Sequence, residues 1–386
     1  MNIAIFTDTY KPQVNGVVSS IESFCAELKS QGHNIFIFAP KMKTVQDMEN
    51  VFYFRSIPYF FQPEHRIALP GSRQLFKFSS LNIDIIHSQT PFSLGELGLA
   101  LSKLFKIPVV HTYHTLFSEY VHYVPFAPKR WTKKFAEMAS RRYCNACKLV
   151  IVPSIGIKNI LESYGVRTKT AIIPSGVDIF NKQEHCSSSY NIREKHHFDT
   201  SEKILLYAGR IGKEKNLYFL LDVFSKIKQH HQKVKFIIVG DGPEKKRLKR
   251  EAKKQKISHN IIFTGYLEKK EVFSYYQEAD IFVFASKTET QGLVIAEAMS
   301  VGLPVIALEA IGVSDILADN QGGFMIKKDI NEFSEKIELL LNNKSLLKNK
   351  SSEAKDKAKQ WTTPLMTSKL IQCYKEIIDT TSQSKI

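Results

Sequence analysis

Short apolar runs alternate with longer amphipathic stretches along the whole chain. Residues 2–7 (NIAIFT) are almost continuously apolar, as in a strand covered on both faces. A loop holding Pro12, Asn15 and Gly16 follows. Apolar positions then recur at Val18, Ile21, Phe24, Cys25 and Leu28, a helical period that predicts a helix to about Ser30. Beyond Gly32 comes a second apolar run, Ile35–Ala39. Such a strand–helix–strand unit implies parallel pairing and a right-handed crossover. Further strands are predicted at 52–55, 84–87, 107–111, 149–152 and 170–173, with helices at 94–105 and 129–147.

Periodicity fails over 181–202, a polar stretch read as an interdomain linker. The alternation restarts with strand 203–208 and helix 216–230, and continues through strands at 234–239, 260–264, 280–285 and 304–308. Helices are predicted at 243–255, 269–278, 292–301 and, last, about 363–379. The pattern predicts an α/β protein with two doubly wound domains, 1–180 and 203–362, facing across a cleft. A ligand would then lie at the carboxyl ends of both sheets. Residues 363–386 are expected to form a C-terminal helix packing back on the N-terminal domain.

Composition narrows the class. A chain of 386 residues with 43% hydrophobic and 24% charged residues is an ordinary globular protein, which excludes disorder, collagen and coiled coil as its dominant state. Five cysteines (25, 144, 147, 186, 373) include one C-x-x-C, and no second pair completes a four-ligand zinc site. Sparse, odd cysteine usage fits a reducing cytoplasm. The start, MNIAIFTDTY, lacks the basic region of a signal peptide, and no apolar run reaches transmembrane length. The expectation is a cytoplasmic protein, soluble or peripheral on the membrane.

Charge is the unusual quantity: 54 Lys+Arg against 38 Asp+Glu, a net +16. The excess is spread evenly, with 20 basic against 12 acidic residues up to Phe180 and 34 against 26 beyond. An anionic partner follows: nucleic acid, a phosphate-bearing small molecule, or an anionic membrane. No nucleic-acid recognition module is recognisable, so nucleic acid is not expected as the partner.

Several motifs fall at predicted strand ends. Asn15-Gly16-Val17 opens the first helix, where a glycine lets backbone N–H groups approach an anion; a plain tight turn explains it equally. Arg210 follows strand 203–208 and Lys215 lies one short loop later, a planar fork and a point charge suited to a diphosphate. Glu289-Thr290-Gln291-Gly292 follows strand 280–285, and Glu297 lies eight residues after Glu289. A continuous helix would separate these carboxylates by ~12 Å along its axis, further than the paired acids of a glycosidase and suited to gripping two ends of one polar ligand. His111 and His114 end a central strand, and His114 is the favoured site residue. No metal-spaced cluster and no D-x-D is present, so no protein-bound metal or other cofactor is expected.

Two further segments carry cations among aromatics. Residues 129–148 hold seven basic residues and one acidic. Trp131, Phe135, Met138, Ala139 and Tyr143 share one side of the predicted helix, with Lys129, Arg130, Lys133, Lys134 and Arg141 on others. This is the pattern of a helix lying on anionic lipid, and equally of one packing its stripe on a sheet. Residues 57–78 interleave aromatics with Arg66, Arg73 and Lys77, and read as an acceptor or membrane loop. The basic run 245–256 reads as a solvated helix face.

Together, Asn15-Gly16-Val17, Thr112–Thr115, Pro174–Asp178, Ala208–Arg210 with Lys215, Val239–Pro243 and the Glu289/Glu297 pair resemble the retaining nucleotide-sugar glycosyltransferases of family four. That family has the two-domain GT-B fold. His87–Gly95, His111–Thr115 and Thr288–Gly292 look most like diacylglycerol glucosyltransferases. The resemblance implies that Gly16 meets the donor phosphate, Arg210 and Lys215 neutralise the diphosphate, Glu289 holds sugar hydroxyls and Glu297 the ribose. His114 would lie near the reacting centre, with Gly265, Tyr266 and Leu267 against the base and Thr290, Gln291 and Gly292 along the donor. One departure is Thr290-Gln291, where many relatives carry an aromatic before the glycine. The implied partners are a nucleotide sugar such as UDP-glucose and a lipid acceptor such as diacylglycerol. Phosphatidylinositol, lipopolysaccharide or another envelope glycan is the alternative acceptor. A non-catalytic basic nucleotide- or nucleic-acid-binding protein is the reading from another class. Oligomeric state is not legible.

Overall fold

The computed structural model describes residues 1–42, 47–59, 62–69, 74–119, 128–178 and 191–383. The chain forms two compact units, Met1–Gly176 with Thr363–Ile386, and Val177–Thr362.

Strands β1 (Asn2–Phe6), β2 (Asn34–Pro40), β3 (Val51–Phe54), β4 (Ser56–Tyr59), β5 (Gln62–Ala68), β6 (Ile85–Ser88), β7 (Val109–Thr112), β8 (Leu149–Val152) and β9 (Thr170–Ile172) belong to the first unit. Its main sheet is parallel, in the order β3-β2-β1-β6-β7-β8-β9. β1 explains how one apolar run serves two layers. Ile3 and Ile5 join a cluster with Leu28, Leu370 and Tyr374, while Ala4 and Phe6 join Phe38, Ile86 and Leu99 in another. The first cluster is roofed by the helices Gly16–Ser30 and Thr363–Gln383. The C-terminal helix is therefore part of the first unit's core. It is fixed there by Tyr374, whose hydroxyl lies 2.5 Å from His87 Nδ1, while His87 Nε2 lies 2.6 Å from Thr112 Oγ1. Burial holds His87 well below its ordinary pKa, so this relay is neutral.

The second unit holds β10 (Lys203–Ala208), β11 (Val234–Val239), β12 (Ile261–Gly265), β13 (Ile281–Phe284), β14 (Val305–Leu308) and β15 (Gly323–Ile326). They form a parallel sheet in the order β12-β11-β10-β13-β14-β15. In each sheet the strand order reverses once, between β1 and β6 and between β10 and β13. Loops leaving the strands on either side of such a reversal diverge and open a crevice at their carboxyl ends.

Three expectations need correction. Within 57–78, where no core strand was legible, β4 and β5 pair antiparallel and Gln74–Phe78 is helical. β15 was not predicted, because Gly322 and Gly323 break the apolar signal. Of the stretch expected to be a linker, 181–202, residues up to 190 lie outside the described residues, while Ile192–Lys195 is a helix whose Ile192 is buried in the second core. Glu278 fixes that helix, accepting from the N–H groups of Ile192 and Arg193 at 3.1 and 3.2 Å. A single buried isoleucine among polar residues gives no periodic signal.

Tyr374→Ala is expected to destabilise the first unit by about 3 kcal/mol or more, through the cavity and the orphaned His87. Tyr374→Phe should cost less, about 1–3 kcal/mol, since it orphans His87 without opening the cavity. Denaturant unfolding followed by circular dichroism separates the two.

Candidate active site

In the second unit, glycines first bring three loops together. Gly209 and Gly240 follow β10 and β11, and Gly265 ends β12, with φ of +147°, +129° and +80°. A Cβ on Gly240 would lie 2.0 Å from the Gly209 carbonyl oxygen, and one on Gly242 would lie 2.4 Å from that of Ile211. Gly209 N–H donates to Val239 O, Ile211 N–H to Asp241 O and Gly240 N–H to Gly265 O. The loops are thus locked backbone on backbone, at a separation only glycine permits.

This frame aims the loop after β10 at the loop after β13. A turn at Lys213–Lys215 ends in Asn216 at φ +55°, which also caps the helix Leu217–His230. Lys215 Nζ reaches Glu289 Oε2 at 2.8 Å, with both side chains more than four-fifths buried. One ion pair therefore joins the loops on the two sides of the strand reversal. Lys215 Nζ also lies 5.9 Å from the centre of the Phe284 ring, on β13. The Glu289 loop is itself pinned: Gly312 N–H donates to Glu289 O at 2.9 Å, and a Cβ on Gly312 would lie 2.4 Å from Gln291 N. Gly292, at φ +80°, then starts the helix Leu293–Ser300.

An acid that sequence reasoning missed sits among the cations. Glu214, its side chain only 3% exposed, lies 3.9 Å from Arg210 Nη1. Its carboxylate fills the space where Gly212 would carry a Cβ. Arg210 and Lys215 are therefore each matched by a buried carboxylate. The only sequence signal was an acid flanked by lysines in a short turn, which usually marks a solvated surface.

The Glu289/Glu297 spacing is not that of one continuous helix. Glu289 precedes the helix and Glu297 lies within it, its carboxylate 3.2 Å from the Tyr276 hydroxyl. Burial raises the Glu297 carboxyl to about 7, against the opposing pull of Lys269 and Tyr276. Gly265 ends β12, followed by exposed Tyr266 and partly buried Leu267. Lys245, from the basic helix Lys245–Lys254, pairs with Asp241 at 2.6 Å near Gly265.

In the first unit a buried acid spans the strand reversal. Asp8, after β1, accepts from Thr90 Oγ1 at 2.6 Å, from Leu94 N–H at 3.0 Å and from the Ser93 hydroxyl, all after β6. His114 follows β7, its Nε2 2.7 Å from Gln89 Oε1. Burial pushes His114 down to about 4 and His111 to about 3, so both imidazoles are neutral at pH 7. His111 Nε2 is buried without a hydrogen-bond partner. Gly16 begins its helix behind Asn15, whose side chain accepts from the Val17 and Val18 N–H groups. A Cβ on Gly16 would meet no atom within 4 Å.

The segments expected at a membrane divide. On the helix Lys129–Ala146, Tyr143 and Cys144 are buried, whereas Trp131 is 77% and Phe135 67% exposed, with Met138 beside them in the pattern. Arg130, Lys133, Lys134 and Arg141 are exposed. The stripe is thus shared between the core and an open apolar face. Arg66 is occupied otherwise: its guanidinium donates to Ser56 Oγ and to Ser56 O at 2.6 Å, which ties β5 to β4. Lys77 is exposed at the end of its helix. Arg73 and the side chain of Lys129 lie outside the described residues. Among those residues, no helix is long and apolar enough to cross a membrane.

Comparison with known proteins agrees with this architecture. Residues 14–179 match the model of Glycosyltransferase Family 4, and residues 188–361 that of Glycosyl transferases group 1. An alpha-monoglucosyldiacylglycerol synthase of Streptococcus pneumoniae is 36% identical, covering 84% of this chain and 74% of the relative. The chain is a family-four glycosyltransferase. A synthase of the same name from Acholeplasma laidlawii is 31% identical over 98% of each chain. A GDP-mannose-dependent alpha-mannosyltransferase of Corynebacterium glutamicum is 27% identical over 87% of this chain and 78% of that one. The glycosyltransferase also shares its GT-B fold with a sucrose-phosphate synthase from Thermosynechococcus elongatus (TM-score 0.80, 18% identity, 98% and 99% of the chains). Anabaena HepE in complex with UDP aligns similarly (TM-score 0.78, 18% identity, 97% and 100%).

Gly240→Ala is expected to destabilise the glycosyltransferase by about 1–3 kcal/mol, from backbone strain at positive φ and the carbonyl contact. Gly16→Ala should leave the melting temperature unchanged or slightly raised, since the position is open and helical. If a donor phosphate packs there, the donor KM rises in Gly16→Ala. Thermal unfolding beside donor titration checks both.

Proposed function

We propose that this glycosyltransferase moves a hexosyl group, glucose, from UDP-glucose to diacylglycerol at a membrane surface, with retention of anomeric configuration. The observation that carries the reading is the Lys215–Glu289 pair across the strand reversal of the second unit, with Arg210 on the same loop. A diphosphate needs cations at the moment its bond to the sugar breaks, and preorganised charges there contribute several kcal/mol. Lys215 and Arg210 would take that charge. Glu289, released in part from Lys215, would accept from hydroxyls of the sugar, and Glu297 from the ribose. Gly16 and the turn at Gly292 would lie along the phosphates, with Gly265, Tyr266 and Leu267 beside the base. His114, neutral and oriented by Gln89, would sit by the reacting carbon as a hydrogen-bonding group rather than a cation.

The bond from the anomeric carbon to the diphosphate oxygen breaks with its electron pair on the diphosphate. The acceptor hydroxyl oxygen forms the new bond on the same face and passes its proton to a phosphate oxygen of the leaving group. UDP and a glucosyl lipid result. The acceptor assignment is supported by the two monoglucosyldiacylglycerol synthases, matched over most of the chain. It is supported independently by the exposed Trp131–Phe135 face with its fringe of cations, which suits an anionic bilayer. That face would hold the enzyme peripherally on the cytoplasmic leaflet.

Lys215→Ala and Glu289→Ala are each expected to lower transfer by at least ~100-fold, on the scale of losing one transition-state charge contact, with folding retained. A screen of UDP-glucose, UDP-galactose and GDP-mannose against diacylglycerol and phosphatidylinositol, with products identified by mass spectrometry, tests the pairing. Product only from GDP-mannose, or none with diacylglycerol, would overturn it. Trp131→Ser with Phe135→Ser should reduce binding to anionic vesicles while leaving UDP binding intact, as measured by cosedimentation and calorimetry.

A further inference from the structure

In the second unit, Glu297 is held by a hydroxyl, whereas Glu214 and Glu289 each face a cation. Its hydroxyl partner, Tyr276, lies on the helix Lys269–Glu278. Lys269 begins that helix seven residues earlier, two turns away and on the same face. Its Nζ meets Asp178 Oδ2 at 2.8 Å, with both side chains about half exposed. Asp178 is the second residue of the second unit, directly after Val177, whose N–H donates to Trp361 O at 2.8 Å. The start of the unit is thus fastened by backbone pairing on one side and by the Lys269 ion pair on the other.

We propose that Lys269 and Asp178 form a positioning pair for Glu297, acting on its carboxylate in opposite senses and so setting how firmly it accepts from donor hydroxyls. The proposal rests on the reading of Glu297 as the grip on the donor ribose. The groups around that carboxylate are few. The helix Lys269–Glu278 contributes Lys269 and Tyr276, and the chain at the start of the unit contributes Asp178. β13 and β14 are wholly apolar where they meet the Glu297 helix. The helix Lys344–Ala358 packs on it as well, but its Lys350 meets Glu353, its Lys357 meets Asp319, and its Lys355 lies against Gly302.

An ionised carboxylate accepts from two hydroxyls at once, and a protonated one gives up part of that capacity. Glu297 titrates near neutrality because burial outweighs its partners. Donor affinity should therefore rise as pH rises through about 7. Lys269 favours the ionised form and Asp178 opposes it. Removing one partner of the ion pair must then move the profile one way, and removing the other must move it the opposite way. A pair that only braced the fold would weaken binding in both variants without displacing the profile in opposite directions.

The test is UDP binding to the full-length protein by calorimetry between pH 5.5 and 8.5. Lys269→Gln should shift the inflection upward and weaken UDP binding at pH 6.5. Asp178→Asn should shift it downward and tighten binding there, by roughly threefold for each half-unit moved. Glu297→Gln should abolish the inflection. If Glu297→Gln keeps it, Glu297 is not the ribose grip, and the underlying reading fails. If Glu297→Gln removes it while the other two variants shift together or not at all, the positioning pair is overturned and the ribose grip stands.

Discussion

The Lys215–Glu289 ion pair organises the second unit's carboxyl edge. A doubly wound sheet must reverse its strand order once, and there the loops of adjacent strands run apart. In this chain the two loops are joined again by a charged contact, largely withdrawn from water. Such a pair is strong only where geometry is fixed beforehand, because desolvation of the two charges opposes their attraction. The glycines supply that fixity. Gly240 and Gly242 bring the β10 and β11 loops into backbone contact, and Gly312 does the same for the loop that carries Glu289.

The first unit solves the same problem without net charge separation. Asp8 gathers hydroxyl and backbone donors from beyond β6, and a fully satisfied buried carboxylate there ties β1 to its neighbour. Burial raises its pKa, while the hydroxyl and amide donors oppose that shift. The histidines nearby are neutral by burial. The two units therefore offer different chemistry at equivalent places. One presents paired cations and acids; the other presents neutral donors and acceptors. The proposed catalysis by charge stabilisation, with little acid–base work from side chains, draws on that division.

The even distribution of positive charge has several uses. Arg210 and Lys215 are matched by buried acids and act locally. Arg66 holds a hairpin together. The exposed cations around Trp131 and Phe135 stand beside an open apolar face, the combination that suits a lipid surface. Net charge alone could not separate these uses, since a cation bound to a serine carbonyl and one facing water count the same.

Sequence by itself determined the strands of both parallel sheets except β15, and placed the candidate site residues at strand ends, because those sheets are buried on two faces and leave continuous apolar runs; it missed the β4–β5 pair. It singled out Gly16, His114, Arg210, Lys215, Glu289 and Glu297 as candidates by motif. It could not find Glu214, whose burial depends on the cations around it, or the glycine-on-carbonyl contacts, which involve residues thirty apart in the chain. Nor could it tell that Glu289 and Glu297 part company at the start of a helix, or which half of the Trp131–Tyr143 stripe faces water. Those facts were decided only by the tertiary structure, since they depend on what packs against each residue, and a pattern along one dimension carries no record of its neighbours in three.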